Sequence, residues 1–175
     1  KSESEIKQTI GLFMPEAISI LTGEANEAAV KRLQVQYSTF ADKYMTRNTF
    51  IYDTVTPVLE KLKSADCLVG IVSNKTRHRI LETLCEENIA EYIDIIIGTE
   101  NAEKPKPAPE PIWQALRELR TDKKTAVYIG DSTTDAKAAA NAGIDFAAVL
   151  TGETKYNEFD SYNYIKIMRS LAEIC

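Results

Sequence analysis

From Lys1 to about Asn48, apolar residues recur at helical spacing: Ile6 and Ile10; Ala17, Ile18 and Leu21; Val30, Leu33, Tyr37, Phe40 and Tyr44. Gly11 and Gly23 punctuate this stretch, and no strand-like run interrupts it, so it reads as all-helical. The texture changes at about Thr49. Short apolar runs (CLVGIVS, IDIIIG, TAVYIG, FAAVL) then alternate with amphipathic stretches (TRHRILETLCEEN, EPIWQALREL, TDAKAAANAG). Strands alternating with helices predict an α/β fold whose parallel sheet is covered on both faces. The one proline cluster, KPKPAPEP, falls in a connection.

Composition narrows the possibilities. With 175 residues, 44% of them hydrophobic, the chain is long enough for one well-buried domain with a small appendage. A net charge of −5 offers no basic surface for a phosphate backbone, which argues against nucleic acid as a partner. No apolar run approaches the roughly 20 residues that span a bilayer, and KSESEIK is not a secretory signal. No membrane partner is therefore expected, and a cytoplasmic location is. Cys67, Cys85 and Cys175 lack zinc-like spacing and read as reduced thiols.

In an open parallel sheet, ligands bind beyond the carboxyl ends of the strands. Three segments there carry chemistry: Ser73-Asn74-Lys75 after LVGIV, Lys104 and Lys106 among the prolines, and Asp131-Ser132-Thr133-Thr134-Asp135 after AVYIG. A hydroxyl, an ammonium and a carboxylate pair are expected to meet along one edge of one sheet. Each has a plainer role to weigh. Ser73 and Asn74 are residues that turn a chain and cap a helix. Lys106 suits a solvated, stiff proline-rich loop, and the two aspartates suit a helix start through the macrodipole. Against that last reading, Asp131 follows Gly130, where the backbone is free to turn tightly beside a ligand. The four-residue spacing also places both carboxylates on one helix face, where they repel unless a cation lies between them. Oxygen-only ligands at this density suit magnesium.

Taken in this order, the hydroxyl, the lysine and the Gly-Asp-x-x-x-Asp resemble the haloacid dehalogenase superfamily of phosphohydrolases. Ser73 matches its second motif, Lys106 in KPAPEP its third, and Asp131 with Asp135 in GDSTTD its fourth. SNKTR, AAANAGI and TIGLFMPEAISIL look like the phosphoglycolate phosphatase branch. Lys106 fits the family's Pro-x-Pro-acidic-Pro pattern, whereas Lys104 would put alanine at the acidic position. A receiver domain also gathers acids, a hydroxyl and a lysine on a parallel sheet, but with the acidic cluster first and the lysine last.

The resemblance implies a Rossmann-like core (residues 51–175) with a partial helical cap domain (residues 1–50). It also implies a Mg²⁺-dependent phosphatase acting on a small phosphorylated metabolite as a monomer or homodimer. Ser73 and Lys106 would be catalytic, Ser73, Asn74 and Lys106 phosphate-binding, and Asp131 and Asp135 metal-binding. The family's nucleophile is the first aspartate of an Asp-x-Asp-x-Thr motif ending the first strand, and this sequence contains no such motif. That strand is central in the family's sheet, between those ending at Ser73 and Asp131. The chain is therefore expected to be a fragment with the nucleophile upstream; the alternative is a non-catalytic binder of phosphorylated ligands. His78, the only histidine, reads as a surface or rim residue.

Overall fold

The computed structural model describes residues 1–174, the side chain of Thr46 excepted; Cys175 lies outside the described residues. Helices fill the first segment: α1 (Glu3–Lys7), α2 (Met14–Thr22) and α3 (Glu27–Tyr44). Local chemistry sets their ends. Ser2 and Glu5 form a capping box before α1, and Asn26 caps α3 through the Ala29 amide. Gly23 stops α2 in the left-handed region at φ 75°.

After α4 (Val55–Ser64), strands and helices alternate: β1 (Gly70–Val72), α5 (Arg77–Glu86), β2 (Ile95–Ile97), α6 (Glu110–Glu118), β3 (Val127–Gly130), α7 (Thr133–Ala142) and β4 (Asp145–Val149). A last strand, β5 (Lys166–Met168), was not foreseen from the sequence. Its three residues include a lysine, too brief a pattern for a two-residue period to show. No helix among the described residues is long and apolar enough to cross a membrane.

All strand pairs are parallel, but they form two sheets rather than the single one expected. β1 pairs only with β2, with Gly70 opposite Ile95; β3, β4 and β5 form the second sheet in that order. Neither β1 nor β3 has a ladder partner on its remaining side among the described residues. Each sheet has its own core. Leu59 of α4 and Ile80 and Leu84 of α5 pack with Ile96 under the first sheet. Ala136 and Ala139 of α7 pack with Phe146, Ala148 and Phe159 on the second.

A third cluster joins the two sheets. Ile112 of α6 meets Ala138 and Ala142 of α7, with Val72 and Tyr128 packed alongside. The small α7 residues let the two helices approach closely, so the carboxyl ends of β1 and β3 are held side by side. Asp94 fixes the other end of the first sheet. Its carboxylate accepts from Lys63 Nζ at 2.7 Å and from the Val69 amide at 2.7 Å, tying α4 to the start of β1.

Candidate active site

Ser73 extends the β1–β2 pairing by one bond, its amide donating to the Ile97 carbonyl at 3.0 Å. Its Oγ accepts from the Lys75 amide at 3.1 Å. Asn74 is engaged by backbone on three sides: Oδ1 accepts from the Lys106 amide (2.9 Å), and Nδ2 donates to the carbonyls of Lys106 (3.0 Å) and Gly11 (3.1 Å). The loop after β2 thereby comes to rest against the loop after β1.

The two lysines part company. Lys104 is exposed and pairs with Glu110 at 3.3 Å, whereas Lys106 is only 9% exposed and turns inward. Its Nζ donates to Asp135 Oδ1 at 2.6 Å and to the Tyr128 hydroxyl at 3.0 Å. Tyr128, which the sequence reading passed over, sits 3.1 Å from both Asp135 Oδ1 and the Val72 carbonyl. Its phenol bridges the two sheets where they share no ladder. The only signal for it was a hydroxyl-bearing ring inside an otherwise apolar VYIG strand.

The two aspartates occupy unlike settings. Asp135 is the third residue of α7 and closes a capping box with Ser132. Its Oδ2 accepts from the Ser132 amide (3.1 Å) and Oγ (2.5 Å), and its own amide donates to Ser132 Oγ (3.2 Å). The helix-start role weighed from the sequence is therefore real for Asp135, and its charge is met by Lys106. Burial pushes the Asp135 carboxyl up, but the Lys106 charge and the bonds from Lys106, Ser132 and Tyr128 outweigh it, so its pKa falls below the usual value.

Asp131 has no cation within ion-pair distance among the described residues. Burial, then the charge of Asp135, raise its pKa. Burial above all, then the Asp135 charge, holds the Tyr128 phenol well above its ordinary value.

Two glycines make room for these carboxylates. A Cβ on Gly130 would lie 2.3 Å from Asp135 Cβ, and one on Gly152 would lie 2.4 Å from Asp131 Oδ2. The glycine before Asp131 thus accommodates the Asp135 side chain, whereas the sequence suggested a tight turn beside a ligand. The segment after β4 reaches Asp131 as well, a contact with no sequence signal.

Among the described residues, no three His, Cys, Asp or Glu side chains form a metal cluster. Asp131 nevertheless suits a hard cation. It is a half-buried carboxylate with a like charge beside it and no ion-pair partner among the described residues, the more distant Lys106 charge offsetting burial only in part, and a divalent ion at its oxygens would relieve both penalties. His78, with about half its side chain exposed, lies 3.7 Å from Asp42 on α3, outside this constellation. Cys67 and Cys85 are free and exposed.

The chain is similar to several known proteins. Phosphoglycolate phosphatase of Rhodobacter capsulatus is 29% identical over 154 residues, covering 86% of this chain and 69% of that protein. Pyrophosphatase PpaX of Bacillus thuringiensis is 31% identical over 124 residues, covering 71% of this chain and 57% of that protein. A further pyrophosphatase-type relative is matched over 51% of its length, so the chain spans little more than half of such relatives. A Bacteroides fragilis crystal structure described as haloacid dehalogenase-like superposes with a TM-score of 0.98 at 38% identity, covering all of this chain and 83% of that one. The haloacid dehalogenase-like hydrolase profile matches residues 1–149, and the chain belongs to that family.

Proposed function

We propose that the protein is a Mg²⁺-dependent phosphatase acting on a small phosphomonoester of the phosphoglycolate class. The observation that supports this reading is that Lys106, buried and bonded to Asp135 and Tyr128, lies among residues that follow the carboxyl ends of two parallel sheets, with Ser73 after β1 and Asp131 after β3. β1 and β3 each keep one unpaired edge among the described residues, and one further strand pairing with both, from an upstream segment, would bring the nucleophilic aspartate. Residues 1–50 would act as a helical cap over the core of residues 51–175. A cytoplasmic setting fits this chemistry.

Catalysis then follows in two displacements. The aspartate carboxylate attacks phosphorus, the ester P–O bond breaks, and the leaving oxygen takes a proton from the second aspartate of the same upstream Asp-x-Asp-x-Thr motif, which recovers it from the water that attacks next. Water next attacks the aspartyl phosphate, releasing orthophosphate and restoring the carboxylate. Ser73 would donate a hydrogen bond to a phosphoryl oxygen. The Lys106 ammonium, already fixed by Asp135 and Tyr128, would offset charge on the nucleophile and the transferring group, an electrostatic contribution of the kind that dominates such reactions. Magnesium, held by Asp131 with Asp135 acting through a water, would supply charge neutralisation at the phosphoryl oxygens.

The test is phosphate release from phosphoglycolate, pyrophosphate and an aryl phosphate, with and without Mg²⁺, for the protein and its Asp131→Asn variant. Magnesium-dependent release that the variant loses by about a hundredfold or more supports the reading. Thermal stabilisation by orthophosphate with no turnover would replace it with the phospholigand-binding alternative.

A further inference from the structure

We propose that Asn74 is a positioning residue that ties the placement of the Lys106 ammonium to the seating of the helical segment over the site. The inference deepens the phosphatase reading and rests on it for its kinetic part.

A primary amide offers two N–H donors and one oxygen. Asn74 spends one donor on the Gly11 carbonyl (3.1 Å), the other on the Lys106 carbonyl (3.0 Å), and its oxygen on the Lys106 amide (2.9 Å). The two bonds to Lys106 grip the peptide groups on either side of its Cα, which sets the direction in which its side chain leaves the backbone. The far end is fixed separately by Asp135 (2.6 Å) and Tyr128 (3.0 Å).

Gly11 carries the link to the helical segment. It adopts φ +87°, and a Cβ built there would come into ordinary contact with Ser132, 3.6 Å from Oγ, so this turn faces the residue that caps α7 and bonds Asp135. One turn between α1 and α2 thus bonds Asn74 through its carbonyl and faces Ser132. The hydrogen-bonded path runs Gly11, Asn74, Lys106, Asp135 and Ser132. Lifting the helical segment away would free one Asn74 donor and loosen the residue that aims Lys106.

The helical segment has a second, independent anchor. Arg79 of α5 pairs with Asp42 of α3 at 2.7 Å and donates to the Ser38 carbonyl at 3.2 Å. Loosening the segment at Asp42 therefore tests the link from its far side, with Asn74 itself intact.

The experiment combines amide hydrogen exchange with kinetics on the protein and its Asn74→Ala, Asn74→Asp and Asp42→Asn variants. Lys106 lies between Pro105 and Pro107, which have no N–H, so its exchange is read almost alone. Asn74→Ala is expected to speed exchange at Lys106 by about tenfold or more, and to speed exchange across Thr9–Phe13 as well. Asn74→Asp keeps the oxygen but loses both donors, so Thr9–Phe13 should loosen while Lys106 stays protected; it also decides the matter if the alanine variant fails to fold. Asp42→Asn should speed exchange at Lys106 as well as across Thr9–Phe13, and should add nothing at Lys106 in the Asn74→Ala background; an Asp42→Asn effect confined to Thr9–Phe13 would overturn the link.

In turnover, Asn74→Ala should lower kcat by about tenfold or more with KM within about threefold, and should add nothing to Lys106→Ala. Unchanged Lys106 exchange in Asn74→Ala, or kinetic penalties that multiply with Lys106→Ala, would overturn the proposal. Absence of phosphatase activity in the unmutated protein would instead sink the phosphatase reading, and the exchange measurements would still decide the clamp.

Discussion

The Lys106–Asp135 pair invites the most quantitative test. The two groups are 2.6 Å apart, with 10% and 7% of their side chains exposed. Lys106→Met would strand a carboxylate in a buried setting, and removing one partner of such a pair costs about 3–5 kcal/mol. The lower end is expected here, because the Ser132 and Tyr128 bonds to Asp135 remain. At about 2–4 °C per kcal/mol for a domain of this size, that is a fall of roughly 6–12 °C in Tm. Asp135→Asn strands the lysine instead and should also destabilise. The double variant carries neither charge and keeps an amide in the capping box, so it should recover to within about 1 kcal/mol of the unmutated protein. Urea unfolding of all four proteins in metal-free buffer measures the cycle. A double variant whose loss equals the sum of the single losses within about 0.5 kcal/mol would refute the reasoning. Stability restored in the double variant should not bring turnover with it, because the ammonium is gone.

Three further outcomes follow from the same geometry. Asp131→Asn should raise the stability of the metal-free protein at neutral pH, since the raised pKa of Asp131 means its charged form is disfavoured in the fold; denaturant midpoints check this, and a lowered midpoint would contradict it. Gly152→Ala places a methyl 2.4 Å from Asp131 Oδ2, so activity assays should show a weaker apparent magnesium affinity, with a midpoint shift small by comparison. Asp94 has a lowered pKa, with burial raising it and the Lys63 and Val69 bonds more than offsetting that. Its contribution is therefore fully present above the unfolded value near 3.8 and lost as pH falls through the lower folded value; the stability gap between the protein and Asp94→Asn should close on acidification through that window, and a pH-independent gap would contradict the assignment.

Most of the fold was legible because its signals are local. The runs around Ile71, Ile96, Ile129 and Ala147 each mark a strand, and the stretch TDAKAAANAG falls on α7. What stayed hidden depends on distant chain segments. The division into two sheets follows from which strand edges find partners, and no periodicity in VYIG or LVGIV reports that. Tyr128 gains its place from Lys106, Val72 and Asp135, 22, 56 and 7 residues away along the chain. Asn74 has the same character: a residue type expected to turn the chain here grips Lys106 and Gly11, 32 and 63 residues distant.

The aspartate pair shows most sharply what spacing can and cannot convey. Asp131 and Asp135 are the same residue type one helical turn apart, and spacing alone treats them as equivalent. Tertiary structure separates them by burial and by partners: the Lys106 ammonium reaches Asp135 at 2.6 Å, beside bonds from Ser132 and Tyr128, and makes no ion pair with Asp131. As a result one carboxyl is driven below its ordinary pKa and the other above it. The repulsion expected between the two is thus only half answered within the chain. Asp135 has its counter-ion and a capping role, so its charge is committed to holding Lys106 and the start of α7. Asp131 keeps a charge with no ion-pair partner among the described residues, and Asp135 makes that charge more costly. A divalent cation bound there relieves a penalty already built into the fold, which is why the carboxylate left without a partner is the one to which the metal is assigned.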